Sequence, residues 1–130
     1  TVVDSFAQTP DLLPTVCDLL GIEAPGGTTG QSLLPVIHKK SEGRSFAISG
    51  FYDQSWSIRD EAWSYYMWLP GYQIRSWDKR SPGGRELYHL GNDPGETENL
   101  VSSHPDVADE MELSLRRSVA ELTWEVPSDR

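Results

Sequence analysis

Glu86-Leu87-Tyr88-His89-Leu90-Gly91-Asn92-Asp93-Pro94-Gly95-Glu96-Thr97-Glu98-Asn99-Leu100 is the stretch that decides the fold of this chain. Residues 86–90 alternate with period two, which predicts a strand with Leu87 and His89 on one face and their neighbours on the other. The run then breaks into dense turn chemistry. Pro94 presets φ, Gly95 is placed to accept positive φ, and Asp93 opens the turn. Glu96 and Asn99 are expected to bond nearby backbone, with Leu100 plugging the turn into a core.

Downstream of this run the spacing predicts a helix. Ser103-His104-Pro105-Asp106 has the form of a capping box with proline in the first turn. Val107, Met111, Leu115, Val119 and Leu122 mark one helical face. Asp106, Asp109, Glu110 and Glu112 crowd the start and Arg116 and Arg117 come late, an order that suits the helix dipole.

Upstream, period-two patterning predicts strands over 45–51, 55–59 and 63–69, the last two as a hairpin around Asp60-Glu61-Ala62, and a further strand over 72–77. The aromatics Trp56, Trp63, Tyr65, Tyr66 and Trp68 fall at strand spacing and read as core or interface packing. Further back, Asp11-Leu12-Leu13-Pro14-Thr15-Val16-Cys17-Asp18-Leu19-Leu20-Gly21 predicts a short helix. Asp11 is its cap, Leu12, Val16, Leu19 and Leu20 form an apolar stripe, and Gly21 is the stop. A Pro/Gly/Thr loop leads to 31–37, half helical turn and half connector, where Pro35 limits the helix. The order helix, strands, helix predicts an α+β layer with a small antiparallel sheet packed on the C-terminal helix.

With 130 residues there is room for one free-standing domain burying roughly two-thirds of its unfolded surface. A net charge of -9 disfavours nonspecific association with nucleic acid or an anionic membrane, since both need a basic face. No apolar run reaches the roughly 20 residues that span a bilayer, and no basic stretch followed by an apolar one marks a signal peptide. The single Cys17 excludes an internal disulfide. Beside leucines on a helix, it reads as a small buried hydrophobe.

Three blocks, in order, resemble the sulfatases of the alkaline-phosphatase superfamily. Residues 11–22 are similar to the family's "DlaPTllelaGi" helix, and Gly30-Gln31-Ser32-Leu33-Leu34-Pro35 to its "dGrSLlPll" segment. Ser57-Ile58-Arg59 through Tyr65-Tyr66, then residues 86–100, resemble "svRtgryKyi … ELYDL-nDPxExxNL". Two positions depart from the pattern: Ser64 stands where lysine is common and His89 where aspartate is.

The resemblance implies the C-terminal subdomain of an arylsulfatase-like enzyme. Residues 1–44 would be the end of the catalytic α/β domain, with the first helix at its edge, and 45–130 the C-terminal subdomain. Such enzymes hydrolyse sulfate esters with calcium, or another divalent metal, and a formylglycine made in a C/S-x-P-S/A-R motif. Cys17-Asp18-Leu19-Leu20-Gly21 lacks that proline and arginine, and Ser32, Ser49 and Ser64 lack the motif equally. By the same resemblance, the metal ligands and sulfate-holding residues precede this chain, so neither a catalytic residue nor a metal ligand is assigned in it.

The acidic run Asp93, Glu96, Glu98 lacks the order of a calcium loop, and His38, His89 and His104 lack metal-ligand spacing. One contribution to a substrate pocket remains open. Tyr72, Arg75, Trp77, Lys79 and Arg80 combine cations with aromatics in an otherwise acidic chain, which suits the rim of a site for a sulfated small molecule or glycan. An edge strand and solvated loop guarded by cations accounts for the same residues. The expected partner is the missing catalytic domain. Phosphonate monoester hydrolases and related phosphodiesterases share the architecture, and a stand-alone interaction module is the non-enzymatic alternative.

Overall fold

The computed structural model describes residues 2–51, 54–69 and 84–124. They form two units, one built mainly from residues 1–47 and the other being Ile48–Glu121.

In the second unit four strands, β1 (Ala47–Phe51), β2 (Ser55–Arg59), β3 (Trp63–Trp68) and β4 (Arg85–His89), make a meander in the order β1-β2-β3-β4. The β2–β3 hairpin turns on Asp60, whose Oδ1 accepts from the Ala62 and Trp63 amides at 2.8 and 2.7 Å. That turn sets the antiparallel register, Ile58 opposite Tyr65 and Trp56 opposite Met67; Tyr65 in turn stands opposite Leu87 on β4. At Gly50 on β1 a Cβ would come within 2.9 Å of the Trp56 ring, so the glycine leaves room for the indole.

The final helix, α3 (Pro105–Trp124), covers one face of this sheet. Ile58, Tyr65 and Leu87 from the strands meet Ala108, Met111 and Leu115 in one buried cluster, with Val107 and Val119 packed beside it. Burial of these apolar side chains, at about 1.5–3 kcal/mol each for the large ones, is the main source of the unit's stability. Polar groups tie the two layers at their border. Arg85 donates from Nε to the Tyr65 hydroxyl at 3.1 Å and reaches Asp109 at 2.5 Å and Glu112 at 3.1 Å, while Tyr65 donates to Glu112 at 2.7 Å.

Several expectations are corrected here. Strand boundaries move by one or two residues, to 47–51, 63–68 and 85–89. α3 begins at Pro105, and the carbonyl of His104 accepts its first bond, from Ala108 at 3.1 Å. The Ser103 hydroxyl instead contacts the Leu100 carbonyl and His104 Nδ1, each at 3.0 Å, so it closes the preceding turn rather than capping the helix. Because α3 runs on to Trp124, Arg116 and Arg117 are mid-helix residues. Arg116 pairs with Glu112 at 2.7 Å across one turn, a contact of side chains rather than of the helix end.

The sheet is also buried on both faces at its β3–β4 end. Trp68, Glu86, Tyr88 and Ser64 are all buried there. The Glu86 carboxylate accepts from Trp68 Nε1 at 2.9 Å and from the Tyr88 hydroxyl at 2.8 Å. Burial, and then the Glu86 carboxylate, push the Tyr88 phenol well above its usual pKa.

In the first unit a 3-10 turn, Thr9–Asp11, runs into α1 (Leu12–Leu20), and a four-residue α2 (Leu34–Ile37) follows. Gly21 ends α1 at φ 67°, a left-handed conformation that glycine adopts without Cβ strain. Phe6 forms an isolated antiparallel bridge with Arg44.

Candidate functional site

The two blocks of the first unit fold into one polar lock centred on Asp11. Its carboxylate is fully buried. Oδ2 accepts from the Gln8 amide at 2.8 Å, Oδ1 from the Gln31 amide at 2.9 Å, and the Arg44 guanidinium donates to Oδ1. Thr15 Oγ1 donates to the Asp11 carbonyl at 2.6 Å and accepts from the Leu33 amide at 2.9 Å. Ser32 donates to Asp18 at 2.6 Å. Gly30 makes this possible: a Cβ there would lie 2.0 Å from the Pro10 carbonyl oxygen, so only glycine lets the 30–33 backbone come close enough.

Burial alone would raise the Asp11 pKa. The Gln31 amide, the Arg44 guanidinium and the Gln8 amide outweigh it and hold the carboxyl below its ordinary value. Asp11 stands at the N-cap of α1 but makes no side-chain capping bond to it; its carboxylate is taken up by Gln8, Gln31 and Arg44 instead. The sequence reading missed Arg44, which pairs with the Asp11 carboxylate from 33 residues away.

The lock fixes α1 in an unexpected orientation. Asp11, Pro14 and Cys17 are its buried edge. The apolar stripe read from sequence, Leu12, Val16, Leu19 and Leu20, faces outward instead: these residues and Leu13 are 50–68% exposed, and Ile22 beyond the helix is 57% exposed. Beside the start of α1, a groove of about 500 Å³ lies between Pro10, Leu12 and Leu13 and the Pro25-Gly26-Gly27-Thr28 loop.

The 86–100 run is equally occupied with structure. Asp93 Oδ2 accepts from the Thr97 and Glu98 amides at 2.7 and 2.9 Å, and Oδ1 from the Thr97 hydroxyl at 3.0 Å. These bonds, that from Glu98 foremost, hold its carboxyl below the usual range. Asn99 spans three backbone groups: Oδ1 accepts from the Leu87 and Val101 amides at 3.1 and 3.0 Å, and Nδ2 donates to the Arg85 carbonyl at 3.2 Å. The Leu100 amide donates to the Leu87 carbonyl at 2.7 Å. The outer edge of β4 is thereby paired by the motif's own tail.

Two details of that run depart from the sequence reading. Positive φ falls on Glu96, at 52°, rather than on Gly95. Glu96 also bonds a side chain, accepting from the Tyr66 hydroxyl at 3.0 Å with Arg59 3.8 Å away, where backbone partners were expected.

Catalytic chemistry would need a nucleophile or a metal cluster. Cys17 is buried among helix residues and outside any formylglycine motif, so it does not fit that group. Among the described residues no group of three or more His, Cys, Asp or Glu side chains could hold a metal ion. His89 and His104, far apart in sequence, both pack on Trp63, with ring centroids 4.7 and 5.4 Å from it. Tyr72, Arg75, Trp77, Lys79 and Arg80, the expected pocket rim, lie outside the described residues, as does the expected strand over 72–77.

No family model matches the chain. Individual relatives do. It is 28% identical over 119 residues to arylsulfatase K of Danio rerio, a match covering 84% of this chain and 21% of that protein. It is 32% identical over 110 residues to a Delta 4,5-hexuronate-2-O-sulfatase of Bacteroides thetaiotaomicron, covering 76% and 21%. The fold is shared with a protein solved in complex with its substrate D-glucosamine-2-N,6-O-disulfate, at a TM-score of 0.69 and 20% identity over 92% of this chain and 25% of that one. It is shared too with a Bacteroides fragilis protein described as a sulfatase, at a TM-score of 0.69 and 18% identity over 87% and 24%. The chain spans about a fifth of the length of the curated relatives it matches. By sequence and by fold it is related to the sulfatases, and it corresponds to a C-terminal portion of those enzymes.

Proposed function

We propose that this chain is the non-catalytic C-terminal part of an enzyme that hydrolyses sulfate esters. The metal, calcium by family, and the formylglycine nucleophile belong to the remainder of that enzyme. Residues 1–44 complete its catalytic α/β domain, and 45–130 form the subdomain beside it.

The observation that carries this reading is what the family-like motifs do. Asp11, Thr15, Gly30, Gln31, Asp93 and Asn99 all engage backbone in locks and turns, so the similarity to sulfatases resides in scaffold rather than in reacting groups. For substrate, a sulfated sugar is favoured: one relative is a hexuronate-2-O-sulfatase and one structural neighbour holds a glucosamine disulfate. Tyr72, Arg75, Trp77, Lys79 and Arg80 are then suited to the pocket rim, with cations for sulfate and aromatics for sugar faces.

The test is turnover of sulfated uronate and glucosamine substrates by the complete polypeptide, with Arg75→Ala and Arg80→Ala beside it. The reading expects chelator-sensitive sulfate release and a raised KM in the variants. Absence of sulfate release would reject the enzyme assignment; an unchanged KM would reject the rim.

A further inference from the structure

We infer that the pocket beside Lys39 and Lys40, just after α2, is a binding site for a sulfated sugar. The choice of sugar rests on the reading above, and the site on its own geometry. An open pocket of about 440 Å³ has Val3, Asp4, Val36, Lys39, Lys40 and Glu42 in its lining. That volume falls within the range of about 300–1,000 Å³ of small-molecule sites. Phe6 and Arg44 join the two flanking segments by an antiparallel bridge, and Arg44 is fixed on the buried Asp11, so the pocket stands on the polar lock. The Lys39 and Lys40 amides donate to the Val36 and Pro35 carbonyls at 2.9 and 2.7 Å, which holds the lysine backbone against α2.

The charges are unusual for so acidic a chain. Arg44, Arg59, Arg85 and Arg116 each pair with a carboxylate. Lys39 and Lys40 pair with none among the described residues, although Asp4 and Glu42 line the same pocket. Lys39 also holds the left-handed region at φ 57°, where glycine carries no Cβ strain, so an ammonium occupies a position that the backbone alone would give to glycine. A sulfated sugar presents sulfate oxygens that accept, hydroxyls that donate and an apolar ring face. The pocket has a group for each: two ammoniums, two carboxylates, and Val3 and Val36. A bare anion gains nothing from the carboxylates, which repel it.

The experiment titrates the 130-residue chain with D-glucosamine-2-N,6-O-disulfate, N-acetylglucosamine and inorganic sulfate, following backbone amide shifts. The disulfate is expected to move Asp4, Val36, Lys39 and Lys40, and the other two probes are not. Equal movement with inorganic sulfate would reduce the pocket to an ion site and overturn the inference. Equal movement with the unsulfated sugar, or none at these residues, would overturn it too. Lys39→Gly is expected to melt no lower than the parent, because it relieves the left-handed strain, yet to bind the disulfate about tenfold more weakly. Parent-like binding by this variant would contradict the assignment. In the complete polypeptide, held inactive by chelator, calorimetry of Lys39→Gly combined with Lys40→Gln is expected to count one bound sugar fewer than the parent, and an unchanged count would overturn the site. Sulfate release is read separately: its absence alongside binding here rejects the enzyme assignment alone, and its presence without binding here rejects this site alone.

Discussion

Replacing Asn99 with alanine removes three hydrogen bonds that join the motif's tail to β4, and it should unfold the sheet unit at markedly lower denaturant. The lost partners are the Leu87 and Val101 amides and the Arg85 carbonyl, at 3.0–3.2 Å. A typical net contribution of about 0.5–1.5 kcal/mol per bond gives a gross loss of about 1.5–4.5 kcal/mol. Asn99 is exposed, so water partly replaces the side chain and the lower half of that range applies, about 2 kcal/mol. For a unit of this size that corresponds to a melting shift of about 8–16 °C. Urea unfolding followed by tryptophan fluorescence reads it directly, because Trp56, Trp63 and Trp68 all lie in the same unit. Asn99→Asp keeps both acceptor contacts and loses the donor to Arg85, so it should fall between the parent and Asn99→Ala. Asn92→Ala, at the exposed tip of the same turn, should stay within about 0.5 kcal/mol of the parent. If Asn99→Ala behaves like Asn92→Ala, the claim that this motif is scaffold is wrong.

Two other substitutions probe the two units separately. Leu115→Ala empties a fully buried position facing Ile58, Tyr65 and Leu87, and is expected to cost about 3 kcal/mol in the same urea assay; a loss below about 1 kcal/mol would mean the helix does not cover this face. Asp11 carries a pH signature. Its folded carboxyl titrates below its ordinary 3.8, so the lock's contribution is complete above that value and is lost as pH falls through the depressed pKa. Amide protection of Leu12–Leu20, corrected for intrinsic exchange, should therefore drop on acidification below 3.8, and Asp11→Asn should already lack the protection at neutral pH. Protection of α1 that is indifferent to Asp11→Asn would remove the lock from the account.

Much of the fold was legible because local chemistry and tertiary packing agree. The alternation around Leu87 and the Asp60 hairpin each specify one element, and the apolar spacing of Met111 and Leu115 also specifies the face its helix buries. Where the reading failed, the deciding interaction is long-range. Asp11 looks like a cap, yet two of its three carboxylate partners are 20 and 33 residues away, and no pattern along the chain marks Gln31 or Arg44 as such. The α1 stripe was recognised as apolar, but periodicity identifies a face without saying what covers it. Nor does spacing show that His89 and His104 share Trp63, since strand and helix-cap residues meet only after the sheet forms. Glu96, whose carboxylate accepts from Tyr66, takes the positive φ that composition assigned to the neighbouring glycine.

Sulfate-ester hydrolysis by the purified 130 residues, measured with and without chelator beside the complete polypeptide, tests the central claim most directly. The scaffold account predicts release by the complete polypeptide alone. Chelator-sensitive turnover by the 130 residues on their own would contradict it.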